Sequence, residues 1–205
     1  SNMRIRLLFT AVIVASMLAA STSLVRPARA SAVTGSDWRA GRIIDDAVFF
    51  NAYAMEAPTI QAFLNAKVPS CDSNGDQPYP GYANRRAYAA ANGVSTPFTC
   101  LKDYSQDTPT MPANSYCANT YTGGTKSAAQ TIKDISVACA INPQVLLVLL
   151  QKEQSLITDD WPWPIQYTSA TGFSCPDTAP CDPAYAGFFY QVYYAARQFQ
   201  RYAKE

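Results

Sequence analysis

The chain has 205 residues, with 16 Lys and Arg against 15 Asp and Glu and no histidine. Without an imidazole, Ser-His and Cys-His nucleophile schemes are excluded, and a zinc reading of the six cysteines is weak because their spacings are not finger-like. No basic stripe runs along the sequence, which argues against nucleic acid as a partner.

Ser1 and Asn2 precede Met3 and read as an expression scar. Arg4 and Arg6, an apolar run from Leu7 to Ala20 and the small-x-small site Ala28-Arg29-Ala30 together have the pattern of a secretory signal, with Ser31 as the expected first mature residue. The apolar run is shorter than the roughly 20 residues that span a bilayer. An exported protein, extracellular or associated with the cell wall and without stable membrane insertion after cleavage, is therefore expected. Loss of residues 1–30 removes Arg4, Arg6, Arg26 and Arg29, leaving 12 basic against 15 acidic residues and a net charge near −3. The remaining chain is long enough for one domain with its own core.

Cys71, Cys100, Cys117, Cys139, Cys175 and Cys181 are an even set in an exported chain and read as three disulfides. The spacing singles out only Cys175–Cys181, across a short loop carrying Pro176, Asp177 and Pro180.

Trp38 to Phe50 has helical apolar spacing at Ile43, Ile44, Ala47 and Val48. A short helix is predicted from Pro58 to Leu64, with Ile60, Phe63 and Leu64 on one side. Residues 68–125 are rich in Gly, Pro, Asn, Ser and Tyr and read as disulfide-tied loops with one short helix around Arg85 to Ala91. Within them Asp72-Ser73-Asn74-Gly75-Asp76 hints at a calcium loop, but the twelfth position is Ala83 where a bidentate Glu is needed, so a turn beside Cys71 is expected. No metal and no cofactor is expected.

Ser127 and Gln130 have capping-box spacing ahead of a stripe of Ile132, Ile135, Ala138 and Cys139 that should end near Ala140. Asn142 and Pro143 suit the start of a second helix. Its run Val145 to Leu150 is apolar all round and belongs in the centre of a domain. A rigid loop then runs from Trp161-Pro162-Trp163-Pro164 to Cys181. Asp182 and Pro183 should open a last helix with Phe189, Val192, Tyr193, Ala196, Phe199 and Ala203 along one face. No β-hairpin signal stands out.

Only three glutamates occur: Glu56, Glu153 and Glu205. Glu153 follows Leu146, Leu149 and Leu150 by seven, four and three residues, on their helical stripe. A carboxyl held against an apolar wall loses hydration and keeps its proton to higher pH, as a glycosidase general acid requires. The competing reading is a solvated helix-end residue or a partner for Arg197.

The segment Ile141-Asn142-Pro143-Gln144 through Leu150-Gln151-Lys152-Glu153-Gln154-Ser155 resembles the catalytic helix of the lysozyme-like lytic transglycosylase superfamily. The resemblance implies a mainly α, lysozyme-like helical core over residues 126–205; residues 31–125 show no such likeness and read from their composition as a disulfide-tied, loop-rich N-terminal extension. It places Glu153 at the catalytic acid and peptidoglycan glycan strands as substrate, as for a lytic transglycosylase or muramidase. Gln154 departs from the usual serine, and Ser169-Ala170-Thr171-Gly172-Phe173 is a loose echo of the family's Ser-x-x-Gly-Ala-x-Gly-Leu-Met-Gln segment. Ile43–Asp46, Ile60–Asn65, Leu146–Gln154 and Trp161–Tyr167 are similar to motifs shared by a set of secreted actinobacterial proteins, a likeness that carries no function of its own and suggests a natural chain running past Glu205.

Asp159 and Asp160, six and seven residues past Glu153, are either a second carboxylate or a solvated helix end. With no second carboxylate placed, the resemblance favours the transglycosylase route, in which one glutamate serves as acid and then base. Trp161, Trp163 and Tyr167 form either a sugar platform or a core plug, and Gln166, Tyr167 and Ser169 are candidate substrate contacts. The rival class is a catalytically inactive module of the same scaffold that binds cell wall or protein, and a third is a surface interaction protein with no sugar site.

Overall fold

The computed structural model describes residues 44–205. The expected leader and the first part of the helix expected at Trp38 to Phe50 lie outside these residues. Its described end is the short helix α1, Asp46–Phe49, opened by the Asp45 carboxylate, which accepts from the Ala47 N–H at 2.9 Å.

Helix α2, Ala57–Lys67, takes proline in its first turn and buries Ile60 and Leu64, so the short helix expected there extends by a turn. Helix α3, Arg85–Ala91, starts where the Asn84 side chain accepts from the Ala87 N–H. A 3-10 turn at Leu101–Asp103 leads into strand β1, Ser105–Thr108, which pairs antiparallel with β2, Gly124–Ser127, Ser105 lying opposite Ser127. These strands carried no sequence signal because they are short, polar and joined by a long loop, so neither alternation nor a tight turn marks them.

Helix α4, Ala128–Cys139, is the centre of the architecture and buries Ala128, Ala129, Ile132, Ile135 and Ala138. Its capping box is half made: Ser127 Oγ accepts from the Gln130 N–H, but the Gln130 amide donates to Asp134 instead of turning back. The helix ends at Ala140, which adopts the left-handed conformation at φ 52°. Helix α5, Pro143–Gln154, follows at once, with Asn142 Oδ1 accepting from the Gln144 N–H and Pro143 in the first turn. Leu146, Leu147 and Leu150 are buried, whereas Val148 is 67% exposed. The helix is therefore not enclosed on all sides as its composition suggested, because its outer face lies at the surface.

The segment expected as loop contains a further short helix, α6, Pro164–Thr168. Asp182 and Pro183 open only a 3-10 turn, Pro183–Tyr185, and the last helix, α7, starts later at Phe188 and runs to Lys204. Gly187, at φ 98°, supplies the change of direction between them. Phe189, Val192, Tyr193 and Ala196 of the expected stripe are buried, whereas Phe199 is half-buried and Ala203 is exposed where the helix runs out to the surface.

Disulfides join Cys71–Cys100, Cys117–Cys139 and Cys175–Cys181, the last being the pair singled out by spacing. The described chain is a mainly helical unit stapled by these bridges. Ile60, Leu64, Leu101, Cys117 and Tyr121 share one core with α4, α5 and α7. The junction expected at residue 126 thus falls inside a common interior, and α2 packs directly on α4. Leu150, fully buried in that interior, gives a direct measure of the packing. Leu150→Ala is expected to lower stability by roughly 2–5 kcal/mol, seen as a reduced urea midpoint at unchanged m-value.

Candidate functional site

Glu153 sits in the last turn of α5, one residue before its end at Gln154. The leucine stripe it extends turns inward, but the helix ends at the surface, and the Glu153 side chain is 33% exposed. The apolar enclosure expected around it is therefore incomplete. Its ion-pair partner is Lys152 Nζ at 3.3 Å, itself 76% exposed, a surface pair of small energy. Arg197 does not hold it; that guanidinium lies over the Tyr116 ring at 4.6 Å.

The other two glutamates have structural work. Glu56 accepts at 2.9 Å from Lys133 Nζ, which is almost buried and also donates to the Ala52 carbonyl. Glu205 accepts from the Tyr116 hydroxyl at 2.6 Å and from Arg201 Nε at 2.8 Å.

Facing Glu153 is Gly172, at φ +71°, so close that an added Cβ would lie 3.3 Å from Oε2 and 3.9 Å from Cδ. The segment Ser169 to Phe173 is thus brought against the carboxyl. It is held there by Gln191 of α7, which the sequence reading did not single out. The Gln191 side chain is fully buried; its Oε1 accepts from the Thr171 and Phe173 N–H groups at 3.2 and 3.1 Å. Its Nε2 donates to the carbonyls of Phe173 and Tyr185 at 2.9 and 2.8 Å. A glutamine in an otherwise aromatic, apolar stripe was the available signal, since a buried amide needs such partners.

Gln154 donates from Nε2 to Ser169 Oγ at 3.1 Å, and Ser169 in turn donates to the Ile165 carbonyl. Gln166 is fully engaged as a brace: Nε2 donates to the Gln154 carbonyl at 2.8 Å and to Asp159 Oδ2 at 2.9 Å, while Oε1 accepts from the Trp163 N–H at 2.6 Å. Tyr167 is buried, donates to the Thr99 carbonyl at 2.6 Å and stacks on Tyr104 with ring centroids 4.3 Å apart. Neither Gln166 nor Tyr167 has the free donor a substrate contact needs, because the turn and the core consume it. Trp161 is only 7% exposed and packs with Ala89 and Phe98, so it plugs the fold and offers no ring face. Its indole N–H is buried without a partner against Gly75, where a Cβ would stand 3.1 Å from it and 2.6 Å from the Arg86 nitrogen. Trp163 is half-buried and remains at the surface of that cluster.

Asp159 and Asp160 are neither a placed nucleophile nor a solvated end. Asp159 Oδ1 accepts from the Trp161 N–H, and Asp160 pairs with Arg85 at 2.8 Å. Arg85 also meets Asp72 at 3.2 Å, whose carboxylate accepts from the Asp76 and Gln77 N–H groups. The Asp72 loop is therefore an arginine-locked turn. Among the described residues no group of three or more metal-ligating side chains is assembled.

Two concavities lie nearby. One, of about 390 Å³, is an apolar groove between α2 and α5 with Phe63, Leu147, Val148 and Ile157 in its wall. The other, of about 300 Å³, is walled by Phe98, Tyr104, Pro162, Pro164 and Tyr167. Glu153 lines neither.

No family model, no curated protein and no solved structure matches this chain.

Two outcomes test this geometry. Gly172→Ala puts a Cβ at positive φ beside the carboxylate; a stability loss of about 1–3 kcal/mol is expected, with shifted Glu153 side-chain resonances in NMR spectra. Burial, reinforced by neighbouring Tyr104 and Asp159, pushes the Tyr167 phenol well above its ordinary value of 10.0. The folded state then favours the protonated phenol. That contribution is intact below the ordinary value and falls away as pH rises from there through the raised folded value. Between about pH 9 and 11 the wild-type denaturant midpoint should fall more steeply than that of Tyr167→Phe, which lacks this proton.

Proposed function

We propose that this chain cleaves the β-1,4 glycan of peptidoglycan, with Glu153 as general acid on a lysozyme-like helical core. The single observation that carries the reading is the state of the Glu153 carboxyl: alone among the three glutamates it is not spent on the architecture. It stands at the end of an apolar helix, against a glycine whose missing side chain leaves it room.

In the proposed reaction Glu153 protonates the glycosidic oxygen as the C–O bond breaks. The same carboxylate then accepts the proton of the attacking hydroxyl, which for a transglycosylase is the substrate's own and leaves an anhydro ring. A second carboxylate is not required, which suits a site where Asp159 and Asp160 are already engaged. A bound strand excludes the water that reaches the open carboxyl and strengthens its contact with the leaving oxygen.

The second reading is a non-catalytic wall-binding module. It is favoured by the Gln154–Ser169 bond, which occupies the position next to the acid, and by Lys152 at the carboxyl.

Purified peptidoglycan incubated with the protein and with Glu153→Gln separates the two. Release of muropeptides, seen by mass spectrometry and reduced at least about 100-fold by the substitution, is the expected result, and anhydro ends would mark the transglycosylase route. Equal wall binding by both proteins with no release would leave the binding module.

A further inference from the structure

We infer that the extension builds a glycan-binding platform from Tyr79, Tyr82, Tyr88 and Trp163, a subsite for a neutral β-1,4-linked hexosamine strand. The inference rests on the glycan reading above for its ligand class, and on separate geometry for its place.

Tyr79 and Tyr88 stack with centroids 4.1 Å apart at 16°. Tyr82 stands edge-on to Tyr88 at 5.2 Å and is 44% exposed. Trp163 meets Tyr88 at 5.7 Å. Four aromatic rings thus gather at a surface, backed by the buried Phe98 and Trp161.

The cluster is rigid. Tyr79 and Tyr82 are bridged across a tight turn, with the Tyr82 N–H donating to the Tyr79 carbonyl at 3.1 Å. Asn84 caps the helix that carries Tyr88, and Arg85 ties that helix to Asp160 while its guanidinium lies 5.5 Å from the Trp161 ring centroid. Rings held in place before binding lose little entropy when a ligand arrives.

Charge selects the ligand. Arg86 is paired with Asp76 at 2.7 Å, and Arg85 with Asp72 and Asp160. The arginines flanking the rings are already paired, and the most exposed ring, Tyr82, offers aromatic surface and a phenol hydroxyl. A pyranose ring presents the complement, an apolar C–H face rimmed by hydroxyl and acetamido groups. Tyr and Trp suit surfaces where one side is apolar and the other wet.

Position connects the platform to the candidate acid. One side-chain amide, that of Gln166, touches both the Trp163 N–H and the Gln154 carbonyl, next to Glu153. Gln166 thus ties the turn that carries Trp163 to the end of α5.

The test uses chitohexaose, a soluble β-1,4 hexosamine oligomer, titrated by calorimetry into Glu153→Gln so that no probe is consumed. Saturable binding is expected, weakened about five- to tenfold when Tyr82→Ala is added. Tyr82 is exposed enough for its removal to leave the fold intact, which near-ultraviolet circular dichroism checks. Tyr53→Ala, an exposed tyrosine outside the cluster, should bind like its parent. Equal affinity with and without Tyr82, or a Tyr82-dependent affinity for decaproline and none for chitohexaose, overturns the platform. Tyr82-dependent binding by a protein that releases no muropeptides sustains the platform while the catalytic reading fails. Muropeptide release combined with Tyr82-independent binding does the reverse.

Discussion

The buried amide of Gln191 is the interaction on which the candidate site depends. The segment from Ser169 to Gly187 has no helix or strand beyond the 3-10 turn Pro183–Tyr185 to pair its backbone, and backbone groups drawn into an interior must find partners. One glutamine supplies them, accepting from two N–H groups and donating to two carbonyls. The Cys175–Cys181 bridge closes the same loop from its outer side. Together they hold Gly172 against the end of α5, where Glu153 emerges.

Around that point the polar side chains divide into those that build and one that does not. Gln154, Gln166 and Asp159 stitch the end of α5 to the turn carrying Trp161 and Trp163. Arg85 joins the same turn to the Asp72 loop through two carboxylates. Each of these bonds removes a group from the pool available to a ligand. Glu153 is left with an exposed lysine as its partner, which solvent screens. A carboxyl without an architectural role, opposite a glycine, sets this point apart from its surroundings.

The extension is inseparable from this arrangement. Its helix α2 buries Ile60 and Leu64 in the same core as Leu146 and Leu150, and Phe98 packs on both tryptophans of the later loop. Tyr167 spends its hydroxyl on the Thr99 carbonyl, so the two parts of the chain also share hydrogen bonds. The Tyr-rich surface of the extension thereby acquires a fixed position against the turn carrying Trp161 and Trp163.

The local signals were legible in the sequence. Ser127 and Asn142-Pro143 mark helix starts because they satisfy or dispense with free N–H groups, while the same signal at Asp182-Pro183 opens only a 3-10 turn, and the stripes of α4 and α7 follow from helical period. The nearest cysteine pair was readable because a short loop leaves its ends close together. Tertiary structure alone decided the rest. Whether Trp161 offers a face or fills a core depends on Ala89 and Phe98, far away in the chain. Whether Asp160 is a reactive carboxylate or a strut depends on Arg85, and Gln166 and Tyr167 look like ligand donors until Trp163 and Thr99 claim them. Periodicity reports which face of a helix is buried. It does not report which distant group meets a polar side chain, and that meeting decides whether the side chain is left free to act.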